Sequence, residues 1–164
     1  MSTDTRPMRR EKDRMPPAEC EKLLREAEVV RLGFSDGEGP YVVPVNFGYA
    51  EGRLYVHGAL EGRRIDAAAS GARVCFEVDA CEVVPAQRPC GWTARFQSVI
   101  GYGSMRLLGQ DEEKLHGLDV IMRHYGSSGE GIGADKLAIT SVVEIEIEMM
   151  EGKWHLAAPP VEGD

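Results

Sequence analysis

The clearest pattern in the chain is near its end. Val142 to Met149 reads Val-Val-Glu-Ile-Glu-Ile-Glu-Met. Apolar and acidic residues alternate with period two, which predicts a strand with Val143, Ile145, Ile147 and Met149 inward and Glu144, Glu146 and Glu148 in water. Similar signals recur upstream. Val29–Phe34 predicts a first strand, Tyr41–Tyr49 a second and Arg53–Val56 a third, separated by the turns 35–40 and 50–52. Links this short imply antiparallel neighbours. Arg73–Asp79 predicts a fourth strand, with Val74, Phe76 and Val78 on one face and Cys75 on the other. Residues 80–92, with Pro85, Pro89 and Gly91, read as a loop. Thr93–Leu108 reads as a long extended stretch that Gly101 and Gly103 bend or bulge.

Helical period appears in three places. Pro16 and Pro17 open a helix whose apolar face is Leu23, Leu24 and Ala27. Glu61–Ser70 predicts a short helix stopped at Gly71. Asp111–Tyr125 predicts a longer one, capped by Asp111, with Leu115, Leu118, Ile121 and Met122 buried. His116 and His124 are expected on its exposed side, too far apart to share a metal. Residues 126–133 read as a loop. Antiparallel hairpins with interspersed helices predict a small barrel rather than a doubly wound parallel sheet.

The chain is 164 residues long, which favours one domain. The expected division is a polar, basic arm at 1–15, a barrel domain at 16–155 and a short tail at 156–164. No apolar run reaches transmembrane length, and Met1–Arg14 lacks a signal-peptide core. The expectation is a cytoplasmic protein without a membrane partner. A net charge of −8 argues against nucleic acid as a partner, since that needs broad basic surface. Any anion site must then be a local basic pocket. Cys20, Cys75, Cys81 and Cys90 form no Cys-x-x-Cys pair and read as reduced, partly buried thiols. No metal site is expected. Gly129-Glu-Gly-Ile-Gly133 lacks the strand–turn–helix context of a nucleotide loop. No Gly-x-Ser-x-Gly elbow supplies a hydrolase nucleophile.

The informative stretch runs Val43-Pro44-Val45-Asn46-Phe47, then Leu54-Tyr-Val-His57-Gly58-Ala59, then Gly62-Arg63-Arg64-Ile-Asp66. A strand ends in His57 and two small residues, and a helix starts with two arginines. Free backbone N–H groups at a helix start, with two guanidiniums, suit a phosphate or carboxylate. Gly58 and Ala59 would let a ligand approach. The same residues also fit solvated helix charges and a strand-capping histidine.

The segments Arg31-Leu-Gly-Phe, Gly39-Pro-Tyr-Val-Val-Pro-Val-Asn-Phe-Gly-Tyr, Leu54-Tyr-Val-His-Gly-Ala, Gly62-Arg-Arg-Ile-Asp and Val74-Cys-Phe-Glu-Val-Asp, in that order, resemble the nitroimidazole-resistance (Nim) family. That family sits within the pyridoxamine 5′-phosphate oxidase-like flavoproteins. Met8-Arg-Arg, Cys90-Gly-Trp, Ser98-Val-Ile-Gly-Tyr-Gly, Glu112-Glu-Lys and His124-Tyr extend the resemblance over residues 8–153.

The resemblance implies a mainly β protein with flanking helices, a six-stranded antiparallel split β-barrel of FMN-binding type. It implies a homodimer with FMN sites at the interface. The isoalloxazine would lie along Pro44, Val45, Asn46 and Phe47. The phosphate would meet His57, Arg63 and Arg64, with Ser98 reaching in from the partner, and Gly58 and Ala59 count among the cofactor-binding residues. Many relatives have Lys where this chain has Arg64. In Nim-type proteins the histidine matching His57 is also an active-site residue, which gives it a catalytic role in competition with phosphate. Trp92 and Phe96 are candidates for the substrate side or for packing between subunits. The implied activity is reduction of small, nitroaromatic-type acceptors by an FMN-dependent oxidoreductase. The alternative is a non-enzymatic flavin or haem binder, with His57 or His124 as axial ligand.

Overall fold

A computed structural model describes residues 8–155. Residues 1–7 of the expected arm and the expected tail at 156–164 lie outside the described residues. The described end of the arm runs along the sheet. Arg14 bridges to Lys153, the Met15 N–H donates to the Gly152 carbonyl at 2.8 Å, and Met15 is buried.

Seven strands form one antiparallel sheet: β1 (Val30–Asp36), β2 (Gly39–Val45), β3 (Gly48–Ala50), β4 (Arg53–Gly58), β5 (Arg73–Val84), β6 (Thr93–Leu107) and β7 (Ser141–His155). Their spatial order is β2-β1-β5-β6-β7-β4-β3. The edge strands β2 and β3 are separated along the chain only by Asn46 and Phe47. Three Cα steps span at most about 11 Å, so the sheet curls until its two edges lie close, without pairing. This is the split-barrel form of a mainly β fold with flanking helices.

That break corrects the expected strand count. Tyr41–Tyr49 is two strands on opposite edges, not one. The third expected strand, β4, pairs with β3 and β7 and never with β2. At the break the Phe47 side chain is fully buried, and its N–H bonds to the Tyr125 hydroxyl at 3.1 Å rather than to a neighbouring strand.

α1 (Pro17–Glu26) covers the barrel with Leu23 and Leu24, and Ala27 lies just past its end. The barrel interior is filled by Leu32, Leu54, Val56, Phe76, Val99 and Ile145. α2 (Arg63–Ala69) is shorter than expected because Gly62, at φ 121°, sets its start. It ends in a Schellman motif at Gly71, with Ala72 N–H on the Ala67 carbonyl at 2.9 Å.

α3 (Asp111–His124) packs outside β4 and β7 through Gly117, Leu118 and Ile121. Gln110, not Asp111, occupies the cap position, and Leu115 and Met122 are exposed. The buried stripe is therefore rotated from the expected one: α3 presses where glycines leave room, its Ile121 backbone against Gly48 of β3 and its own Gly117 against β4 and β7. A Cβ at Gly117 would sit 2.8 Å from Val142 and 3.0 Å from Tyr55. α4 (Ala134–Ala138) was not foreseen; Leu137 joins the same small cluster.

β5 continues through Val84, where a loop was expected from residue 80. β6 carries a register shift between Tyr102 and Gly103, matching the expected bulge. Gly129 packs on α3, where a Cβ would meet Asp119 Cα at 2.7 Å, which gives that glycine-rich stretch a packing role. Cys20 is buried and Cys75 part-buried, whereas Cys81 and Cys90 are exposed rather than partly buried. No helix among the described residues is long and apolar enough to cross a membrane.

Candidate functional site

The end of β4, the start of α2 and the β2–β3 link form the candidate site. Arg64 is its centre. Its Nη2 donates to the His57 carbonyl at 2.9 Å. Its Nε is buried with no hydrogen-bond partner among the described residues. Desolvation lowers the pKa of this guanidinium, although it stays charged. Gly58 makes its position possible, because a Cβ there would fall 2.1 Å from Arg64 Nη2. A desolvated cation with an unused donor is a fitting counterpart for an oxyanion.

Arg63 is placed differently. Its Nε and Nη2 donate to the two carboxylate oxygens of Asp36, each at 2.8 Å. Its guanidinium also lies over the Tyr41 ring at 4.4 Å. Asp36 takes the Glu38 N–H as well, at 2.9 Å, and its pKa is lowered, first by Arg63. Arg63 is thus a strut between α2 and the β1–β2 hairpin. The pair of arginines expected to act together is divided between two tasks.

His57 keeps solvent contact. By strand alternation it stands on the Tyr55 side of β4, while Gly58 faces Arg64. Its pKa lies below the ordinary 6.5, first through partial burial and then through the Arg64 charge. The folded chain therefore favours the neutral ring. Its contribution to stability is full above pH 6.5 and falls as pH drops from 6.5 to the depressed value. In an NMR titration the His57 midpoint is expected below 6.5, and Arg64→Ala should move it upward. An unmoved midpoint would remove Arg64 as a cause.

Ser141, missed in the sequence, donates to the Ala59 carbonyl at 2.5 Å and lies 3.2 Å from that of Gly58. It fixes the backbone turn from β4 towards α2. Pro44 and Asn46 are exposed along the open edge of β2, and Val45 is half-buried. The Phe47 side chain is not at this surface; its ring packs 4.6 Å from that of His124. His124 is not the freely exposed residue expected. Its Nε2 is 2.7 Å from the Ala27 carbonyl.

Ser98, Trp92 and Phe96 are not brought to this site by their own chain. Ser98 pairs with Lys153 on β7, whereas His57 pairs with Val142. Those two β7 positions are separated by roughly 35 Å of extended strand. Ser98 instead lines a 240 Å³ cleft on the outer sheet face with Ile100, Tyr102, Met149 and Lys153. Trp92 is 55% exposed at the tip of the β5–β6 hairpin. Lys153 Nζ lies over the Phe96 ring at 5.8 Å.

The pyridoxamine 5′-phosphate oxidase family model matches residues 16–154. No curated protein matches the chain. Among solved structures, a provisional 5-nitroimidazole antibiotic resistance protein from Bacteroides thetaiotaomicron is 29% identical, with 85% of each chain covered and a TM-score of 0.75. An FAD-binding protein from Mesorhizobium loti is 25% identical, with 87% of this chain and 96% of that one covered and a TM-score of 0.63. An FAD- and haem-binding protein from Mycobacterium smegmatis is 20% identical, with 91% and 76% covered and a TM-score of 0.80, a likeness of fold.

Proposed function

The chain belongs to the pyridoxamine 5′-phosphate oxidase family, and from that premise we propose that it is an FMN-binding oxidoreductase of small acceptors, nitroaromatic compounds among them. The observation that carries the reading is the Arg64 Nε beside Gly58, buried and without a partner among the described residues. It fits a phosphate group in an otherwise acidic protein.

In this reading Arg64 holds the phosphate, Pro44, Val45 and Asn46 border the ring, and Ser141 keeps Gly58 and Ala59 in place. Bound flavin supplies electron and hydride transfer. His57, neutral at neutral pH, can donate a hydrogen bond from its ring N–H to an acceptor lying against it. Phe47 contributes through its backbone and its packing rather than by touching the ring.

The site is completed by a second copy of the chain. Ser98, Trp92 and Phe96 lie too far along β6 and β7 to serve their own His57, and Ile100 beside them is 48% exposed. A homodimer that turns this face towards the partner's Arg64 brings them in. Of the two candidate haem ligands, His124 already has its Nε2 2.7 Å from the Ala27 carbonyl, which leaves His57 as the candidate for the haem alternative.

The absorbance spectrum of freshly purified protein tests the cofactor. Flavin bands, or their appearance on titration with FMN, are expected. A Soret band would favour haem, and no uptake of either would overturn the reading. Stopped-flow reduction of the FMN-loaded protein by NADH or NADPH, followed by a panel of acceptors, tests the activity.

A further inference from the structure

The β2–β3 link poses a hydrogen-bonding problem. Asn46 and Phe47 lie between two strands and belong to neither ladder. Phe47 is fully buried, so its N–H needs a partner within the protein. That partner is the Tyr125 hydroxyl, at 3.1 Å.

The same hydroxyl accepts from Asn46 Nδ2 at 3.2 Å and donates to the Glu28 carbonyl at 2.6 Å. One donated and two accepted bonds use its whole capacity. Asn46 Nδ2 also reaches the Glu28 carbonyl, at 3.3 Å. A single oxygen thereby joins the end of α3, the start of the first hairpin and the link. The Tyr125 ring is 41% exposed and contributes little to the core. The residue is placed for its hydroxyl.

We propose that Tyr125 is a positioning residue for the cofactor-lining link, fixing the Asn46 side chain and the Phe47 backbone through this one hydroxyl. The proposal rests on the flavin reading for its consequence, but not for its geometry. Tyr125 touches no cofactor; it acts through Asn46 and the Phe47 backbone.

Tyr125→Phe keeps the ring and removes the three bonds. Full-length apoprotein titrated with FMN is expected to bind about 10-fold more weakly in this variant, a loss matching about one hydrogen bond. Bound-flavin fluorescence should shift with it. The double variant Asn46→Ala with Tyr125→Phe should lose less than the sum of the two single losses, since the two residues share one bond. Tyr55→Phe, which removes a bond to Glu144 under the same helix, serves as control and should leave FMN affinity unchanged. Wild-type FMN affinity in Tyr125→Phe, or additive losses in the double variant, would overturn the proposal.

Amide exchange at Phe47 in flavin-free protein reads the positioning without the cofactor. It should be about 10-fold faster in Tyr125→Phe than in wild type, and equal rates would overturn the proposal. If the wild type takes up no FMN while this exchange difference holds, the flavin reading fails and the positioning role stands.

Discussion

Arg64→Ala should weaken FMN binding about 100-fold, whereas Arg63→Ala should weaken it only several-fold. The difference follows from how each guanidinium is occupied. Arg64 has one bond, to the His57 carbonyl, and a buried Nε with none among the described residues. A charge-assisted bond from such a group to phosphate is worth about 2–3 kcal/mol, hence roughly 30- to 150-fold in affinity. Arg63 already spends two donors on Asp36 and stacks on Tyr41.

Asp36→Asn separates the two roles. If Arg63 is a strut, the substitution loosens the hairpin, and FMN binding weakens about as much as in Arg63→Ala. The double variant should then be no worse than either single one. If Arg63 instead bound phosphate, removing its carboxylate would free it, and affinity would rise. Isothermal titration of the variants with FMN decides, and tighter binding by Asp36→Asn would refute the strut assignment. Gly58→Ala gives an independent check. The new methyl would displace only the end of the Arg64 side chain. The protein should fold, yet bind FMN almost as poorly as Arg64→Ala.

Period-two and helical patterns carried most of the fold. The alternation in the first part of β7 and of β5 placed the correct faces inward, as Val143, Ile145, Val74 and Phe76 show. The register shift then skips Glu148 and turns Met149, expected inward, to the outer face, with Met150 on the core instead. The pattern failed where tertiary placement overrides it. Tyr41 to Tyr49 is continuous in β propensity, and only the burial of Phe47 reveals the break. α3 turned its stripe because it packs through glycines, Gly117 on the helix and Gly48 beneath Ile121, which no hydrophobicity pattern counts. The candidate site was legible as a cluster of residue types, including Gly58 beside Arg64. Its division of labour was not. Asp36 lies 27 positions before Arg63 in an ordinary turn, and no spacing links them. Tyr125 looked like the last residue of a helix, and a hydroxyl partner 78 positions away leaves no trace in sequence. The distance of Ser98 from His57 was likewise invisible until β7 was seen to pair with both β4 and β6.

Gly101→Ala should destabilise the protein by about 3 kcal/mol, near the upper end of ordinary overpacking. The sequence suggested a bulge at Gly101 and Gly103. The register shift does fall beside Gly103, but the demand at Gly101 is for space, not for backbone freedom. The Phe76 ring on β5 lies across β6 at this position. A Cβ at Gly101 would sit 2.2 Å from Phe76 Cζ, 2.5 Å from Cε1 and 2.7 Å from the Met149 carbonyl oxygen. Phe76 is fully buried, so its ring cannot swing into solvent, and the carbonyl belongs to a paired strand. Either the ring leaves its rotamer or β6 moves off β7. For a chain of this size the loss lowers Tm by roughly 6–12 °C. Gly109→Ala, with nothing within 4 Å of the added methyl, should stay within about 0.5 kcal/mol of wild type. Phe76→Leu in the Gly101→Ala background should recover part of the loss, since the methyl would take space the ring vacates. Equal Tm values for Gly101→Ala and wild type would show that the β5–β6–β7 layer yields more easily than its packing implies.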